Sequence, residues 1–151
     1  MQVNFENKKV LLTGASGGIG KALSEKFINN GAKLIFTSSN NDKLDKLKNL
    51  YGDVHSYYLL DLSKTENLID NVKNIRENNK DIDIIINNAG ITKDNLLLRM
   101  SVEQWQEVID TNLSSSFYII KTILPDMVKN RKGKILGITS VVALTGNPGQ
   151  S

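Results

Sequence analysis

A glycine-rich turn, Thr13-Gly14-Ala15-Ser16-Gly17-Gly18-Ile19-Gly20, stands between a short apolar run, Val10 to Leu12, and an amphipathic stretch carrying Ile19, Ala22, Leu23 and Phe27. That order predicts a strand, a tight turn and a helix. Glycines open backbone angles closed to other residues and let another group approach the main chain closely. The helix start that follows presents amides without intrahelical acceptors and the positive end of a dipole, which suits an anion such as a pyrophosphate. Strand, glycine turn and helix in succession are the context of a dinucleotide site. The spacing is T-G-x-x-x-G-x-G rather than G-x-G-x-x-G, so an ordinary glycine-rich turn is the alternative.

The alternation continues along the chain. Strands are predicted at Lys9–Thr13, Lys33–Ser38, Val54–Leu60, Ile82–Asn87 and Gly133–Thr139, and helices at Gly18–Asn30, Asn41–Leu50, Lys64–Asn79 and Val102 to about Asn130. Strands separated by helices require right-handed crossovers, hence a doubly wound, mostly parallel α/β sheet of Rossmann type. The consecutive apolar residues Ile84-Ile85-Ile86 fit a strand buried on both faces. Ser63 with Glu66, and Ser101 with Gln104, have capping-box spacing. Gly31 falls where a left-handed helix end is expected, and Pro125 predicts a kink or restart. Residues 1–151 read as a single dinucleotide-binding domain. The last strand leads into a loop with nothing to cover it, so the domain is expected to be C-terminally incomplete.

Composition excludes several classes. The 151 residues contain no cysteine, which removes disulfides, thiol nucleophiles and thiolate metal sites, and no metal is expected. The formal net charge of +3 arises from scattered lysines, read as solvated faces and not as a nucleic-acid footprint. No apolar run approaches membrane-spanning length and Met1 to Lys9 lacks a signal-peptide core, so a cytoplasmic location is expected.

In open α/β sheets ligands bind beyond the carboxyl ends of the strands. The second strand ends at Thr37-Ser38-Ser39-Asn40-Asn41, with no acid before Asp42. A carboxylate there would suit NAD; hydroxyls, with Lys43 nearby, suit the 2′-phosphate of NADP, although these residues also form turns. Asp61-Leu62 follows the third strand and offers an acceptor for an adenine amino group beside an apolar wall, or a cap for the next helix. Asn87-Asn88-Ala89-Gly90 follows the fourth, able to brace a turn, line a ribose, or both. Asn112 shares a helical face with Trp105, Val108, Ile109, Ser116, Phe117 and Ile120. A buried amide needs a partner, structural or functional. Ser140 ends the fifth strand. The single histidine, His55, lies at the far start of a strand, which excludes a Ser-His triad.

Thr13-Gly14 with Gly18-Ile19-Gly20, then Asn87 to Gly90, Asn112 and Ser140, resemble in order the landmarks of the short-chain dehydrogenase/reductase family. Asn87 through Met100 and Ser140 through Gln150 look like its bacterial 3-oxoacyl-[acyl-carrier-protein] reductase branch. The resemblance implies that NADPH reduces the 3-oxo group of an acyl chain on acyl carrier protein. Acetoacetyl-CoA reduction, another secondary alcohol, or a non-catalytic dinucleotide-binding fragment are the alternatives. It implies cofactor contacts at Gly14, Ser16, Gly17, Gly18, Ile19 and Gly20 for the phosphates, and Ser38 and Ser39 for the 2′-phosphate. Asp61 and Leu62 correspond to the adenine site, and Asn88, Ala89 and Gly90 to the ribose site. Ser140 corresponds to the catalytic serine and Asn112 to the asparagine of the proton relay. Many NADPH-using members have arginine where this chain has Gly17. The family's Tyr-x-x-x-Lys proton donor is expected beyond Ser151, so the chain alone is expected to be inactive. A homo-oligomer is implied for the full-length protein. Acyl carrier protein is acidic, and Lys129, Arg131 and Lys132 suit its docking, though a solvated turn explains them as well.

Overall fold

The computed structural model describes residues 4–150. The elements run β1 (Lys9–Thr13), α1 (Gly18–Ile28), β2 (Lys33–Ser38), α2 (Asn41–Tyr51), β3 (Ser56–Leu59), α3 (Thr65–Asn78) and β4 (Ile84–Asn87). A 3₁₀ turn (Leu97–Arg99) precedes α4 (Val102–Ile109), a π-helical turn (Asp110–Ser114), α5 (Ser115–Lys129), β5 (Lys134–Gly137) and α6 (Val142–Thr145). The strands form one parallel sheet in the order β3-β2-β1-β4-β5. The order reverses between β1 and β4, where Val10, Leu11 and Leu12 pair with Ile84, Ile85 and Ile86.

Alternating side chains feed two cores, as strand geometry requires. Leu11, Ile35 and Ile85 pack with Leu68, Val72, Ile75, Ile119, Ile123 and Met127 of α3 and α5. Val10, Leu12, Leu34, Phe36, Ile84 and Ile86 face the other layer, with Leu23 and Phe27 of α1 and Leu47 of α2. The three isoleucines of β4 are buried, so the apolar run does lie between two layers. α1 ends at Ile28, two residues short of the predicted limit, and Gly31 closes it as expected. Gly31 takes φ +89°, Ala32 N–H donates to Phe27 O and Gly31 N–H to Ile28 O, the paired bonds of a Schellman motif.

The sheet departs from the sequence-based limits mainly at its edges. β3 begins at Ser56, because His55 turns inward and accepts a hydrogen bond from Leu34 N–H through Nδ1. β5 is confined to Lys134–Gly137 and is exposed along its length. Pro125 does not interrupt its helix, which continues to Lys129; the irregularity falls earlier, in the π-turn. The buried stripe of this helical region is Thr111, Ser115, Ile119, Ile123 and Met127. The face grouped with Asn112 from spacing is the outer one, with Trp105 48% and Phe117 56% exposed. The inserted π residue shifts the phase, so helical spacing carried across it misassigns the inward side. Ser101 and Gln104 do form a reciprocal capping box. Ser63 does not cap α3: its hydroxyl donates to Asp61, and Lys64 occupies the N-cap without a side-chain bond.

At the amino ends of the strands, buried Asp83 ties several segments together. It accepts from Lys9 N–H at 3.1 Å and from Lys8 Nζ at 3.4 Å, with Lys132 Nζ also at 3.4 Å. Burial alone would raise its carboxyl pKa, but the Lys9 amide and the two lysines hold it below the usual range. A depressed folded-state pKa stabilises the fold at pH values above the ordinary carboxylate value and loses that contribution as pH falls. Asp83→Asn is therefore expected to cost about 1–3 kcal/mol at neutral pH. The same variant should flatten the decline in stability below about pH 4, and urea unfolding measured across pH checks both.

Candidate functional site

The carboxyl ends of β1 to β4 open into one cavity of about 620 Å³. Its lining contains Gly14, Ser16, Gly17, Gly18, Ile19, Gly20, Ser38, Ser39, Asp61, Leu62, Asn88, Ala89 and Gly90, the whole set expected to contact a dinucleotide. Thr37, Lys43, Leu60, Ser63, Ile91, Glu107 and Thr111 complete it. Residues separated by up to 97 positions meet because parallel strands bring all their carboxyl ends to one edge.

The glycines divide by cause. Gly14 adopts φ +66°, and a Cβ there would stand 2.7 Å from Ala89 Cα. At Gly20 a Cβ would stand 2.3 Å from Gly14 O. These two are required by the fold itself. A Cβ on Gly17 would meet only Gly14 O, at 3.6 Å, and one on Gly18 would meet open space. Gly17 is the N-cap of α1 and has no side-chain cap to cover the first-turn amides. Those amides therefore face the cavity with no protein acceptor supplied by the helix.

Thr13 and Asn88 hold the crevice in shape. Buried Thr13 Oγ1 accepts from the N–H groups of Asn88 and Ala89, each at 3.0 Å, and donates to Ile86 O at 3.4 Å. Asn88 Nδ2 donates back to Thr13 O and Gly14 O, both at 3.0 Å. The amide of Asn88 braces the turn, while its residue still lines the cavity. The importance of Thr13 was not read from sequence. A threonine closing a strand is unremarkable until the fourth strand is placed beside it.

At the end of β2, Ser38 is buried and its Oγ accepts from Asn40 N–H at 3.3 Å, whereas Ser39 is exposed. Asn40 caps α2 by accepting from Lys43 N–H. Lys43 is the one lysine in the lining, and no carboxylate lines the β2 end. Asp61 Oδ1 accepts from the amide and hydroxyl of Ser63 at 3.1 and 2.7 Å, and Lys64 Nζ lies 3.6 Å from Oδ2. Burial opposes ionisation of Asp61, but the Ser63 bonds and Lys64 outweigh it and hold the pKa below the usual value.

The structure does not bring Asn112 and Ser140 into the lining of this cavity. Asn112 is exposed and not buried, and its amide makes a reciprocal pair with the Ile91 backbone: Oδ1 accepts from Ile91 N–H and Nδ2 donates to Ile91 O, both at 2.8 Å. It thereby fixes the segment after Gly90 against the π-turn. Ser140 is exposed at the start of the α6 turn, where its Oγ accepts from Val142 N–H at 3.2 Å. It remains close in topology to the cavity, since Ile138 N–H bonds Asn87 O across β4 and β5. Lys132 is drawn to Asp83 and Arg131 takes φ +51° in the turn before β5, while Lys129 ends α5. These three stand near the amino ends of the strands, opposite the cavity.

Glu107 and Thr111 are lining residues without a signal in local sequence. They enter because α4 and the π-turn bring them to the cavity that the strand ends open into. Among the described residues no cluster of His, Cys, Asp and Glu could hold a metal, and no helix is long and apolar enough to cross a membrane.

Comparison with known proteins agrees with this geometry. The chain is 40% identical over 149 residues to the 3-oxoacyl-[acyl-carrier-protein] reductases FabG of Vibrio cholerae and Escherichia coli, covering 99% of this chain and 61% of each relative. The corresponding protein of Buchnera aphidicola is 38% identical over 148 residues, with 98% and 61% covered. The chain thus spans about 61% of the length of these relatives. A solved short chain dehydrogenase/reductase family protein superposes with a TM-score of 0.88 at 26% identity, over 98% of this chain and 61% of that one. The family profile described as short chain dehydrogenase matches residues 8–151, and the chain belongs to that family.

Proposed function

We propose that residues 1–151 form the dinucleotide-binding part of an NADPH-dependent reductase that converts a 3-oxoacyl chain on acyl carrier protein to the 3-hydroxyacyl product. The observation that carries this reading is the single cavity at the strand-order reversal, lined by the glycine turn, the β2 hydroxyls and the Asn88–Gly90 wall. The open space at Gly17 and Gly18 fits a diphosphate lying against the first turn of α1, where amides and dipole favour negative charge. Ser39 and Lys43 supply a donor and a positive charge for a 2′-phosphate, and no acid opposes it at the β2 end. Asn88 to Gly90 form the ribose wall. NADPH supplies the hydride when bound.

In this reading Ser140 donates a hydrogen bond to the ketone oxygen, from a position carried by the β4–β5 pairing. Asn112 is a positioning residue, holding the Ile91 segment against the cavity. Proton donation falls to a group other than these, because the chain contains no Tyr-x-x-x-Lys. The 151-residue chain is accordingly expected to bind nucleotide without reducing a ketone. The carrier-protein substrate is favoured by the named relatives. A cytoplasmic, homo-oligomeric protein of the relatives' length accompanies the proposal.

Titration of the chain with NADPH and NADH, followed by nucleotide fluorescence, tests the reading. NADPH is expected to bind about tenfold more tightly or better, and Ser39→Asp should abolish that preference by placing like charge at the phosphate. Equal affinity for both nucleotides would remove the NADP assignment. No affinity for either would remove the function. In a protein of the relatives' full length, faster turnover of acetoacetyl-acyl carrier protein than of acetoacetyl-CoA is expected, and equal rates would favour the CoA reductase alternative.

The two kinds of glycine give a separate prediction. Gly20→Ala should destabilise the fold by about 1–3 kcal/mol through overpacking against Gly14 O. Gly18→Ala should leave urea unfolding almost unchanged yet weaken NADPH binding by roughly tenfold or more, since its methyl would occupy the ligand's space. A Gly18→Ala chain that binds normally would contradict this use of the turn.

A further inference from the structure

Lysines that are scattered along the sequence meet at the amino-end edge of the sheet, opposite the cavity. Lys9 and Lys33 open β1 and β2 and stand side by side in register, and Lys134 opens β5. Lys8 and Lys132 flank the carboxylate of Asp83, each with Nζ at 3.4 Å. Lys80 joins them through its carbonyl, which accepts from Lys9 Nζ at 2.7 Å. Parallel strands begin at one edge just as they end at the other, so cations from separate stretches of chain share one face.

Acids do not cancel this charge. Asp83 is buried between its two lysines. Glu6, Asp53 and Asp81 are exposed near the same edge, but Asp53 is paired with Lys48 at 3.0 Å and Asp81 accepts from Asn130 Nδ2 at 2.6 Å. Lys33, Lys80 and Lys134 are exposed and enter no salt bridge among the described residues. Exposed Lys129 and Arg131 in the turn before β5 add to the excess.

The make-up of the face selects among polyanions. Protein interfaces are depleted in lysine and anchored by aromatic residues and arginine. Nucleic acid is held by arginine forks, stacking rings or an element set into a groove. Here lysine predominates, Phe5 is turned onto Phe27 with ring centroids 4.6 Å apart, and the face consists of strand starts and short loops. A bilayer of anionic lipid asks only for a cluster of lysines within a Debye length of its surface.

We propose that this face is a reversible docking surface for anionic lipid bilayers, held by charge without insertion, so that the cavity at the other ends of the strands points away from the membrane and stays open. The inference stands apart from the dinucleotide reading. Flotation of the 151-residue chain with vesicles tests it, since aggregated protein sinks and only lipid-bound protein rises. The chain should bind phosphatidylcholine vesicles containing about 40 mol % phosphatidylglycerol at least tenfold better than pure phosphatidylcholine, and about 0.5 M salt should release it. Lys33→Gln, Lys80→Gln and Lys134→Gln should each weaken binding roughly fivefold, and the triple variant should no longer float. Lys46→Gln, Lys73→Gln and Lys121→Gln together remove the same charge from the middle of α2, α3 and α5, and should leave flotation nearly unchanged. Saturating NADPH should not displace the chain from vesicles.

Circular dichroism checks the fold of each variant, and the three single substitutions carry the test should the triple variant misfold. No flotation, or equal flotation with both kinds of vesicle, would overturn the inference. Equal loss in the helix-face triple variant, or release by NADPH, would overturn the placement of the surface at this edge. Capture of a short DNA duplex without capture of vesicles would assign the face to nucleic acid and likewise overturn it. A chain that floats as expected yet binds no NADPH would leave this inference standing and remove the dinucleotide reading alone.

Discussion

The hydrogen bonds between Thr13 and the Asn88–Ala89 backbone are the constraint on which the site depends. They join the ends of β1 and β4 at the place where strand order reverses. Helices leaving adjacent strands in opposite directions open a crevice there, and unbraced loop ends would let it splay. Buried Thr13 Oγ1 satisfies two amides at once, while Asn88 Nδ2 returns to two carbonyls of the opposite strand end. Each of these polar groups would cost free energy if buried unpaired, so the pattern specifies one geometry. The absence of a Cβ at Gly14 lets the two backbones approach closely enough for those bonds.

A second brace works from the opposite wall. The π-turn at Asp110–Ser114 makes two connections here: Thr111 enters the cavity lining, and Asn112 pairs with the backbone of Ile91, another lining residue. The local irregularity therefore couples the loop after β4 to the helix beyond it, and π-turns recur where such a coupling serves a site.

Much of the site was legible in the primary sequence because its residues lie immediately after strands. Strand ends can be read from apolar runs and glycine turns, and parallel topology sends them all to one edge. Glu107 and Thr111 were not legible, since they belong to a helix whose passage over the cavity is a tertiary matter. Uninterrupted helical spacing places Asn112 on a buried face, and the π-turn breaks that spacing. The spacing of Ser63 to Glu66 suits a cap. Asp61, closer and more strongly accepting, captures its hydroxyl instead.

Local chemistry alone determined the layer architecture, the glycine turn and the helix end at Gly31. Each follows from side-chain period or from backbone angles that few residues adopt. The strand order, the difference between glycines packed against backbone and glycines with open space beside them, and the absence of Asn112 and Ser140 from the cavity lining were decided only in three dimensions. Those properties depend on which segments pack against one another, and burial or contact between distant residues has no counterpart in their neighbours along the chain.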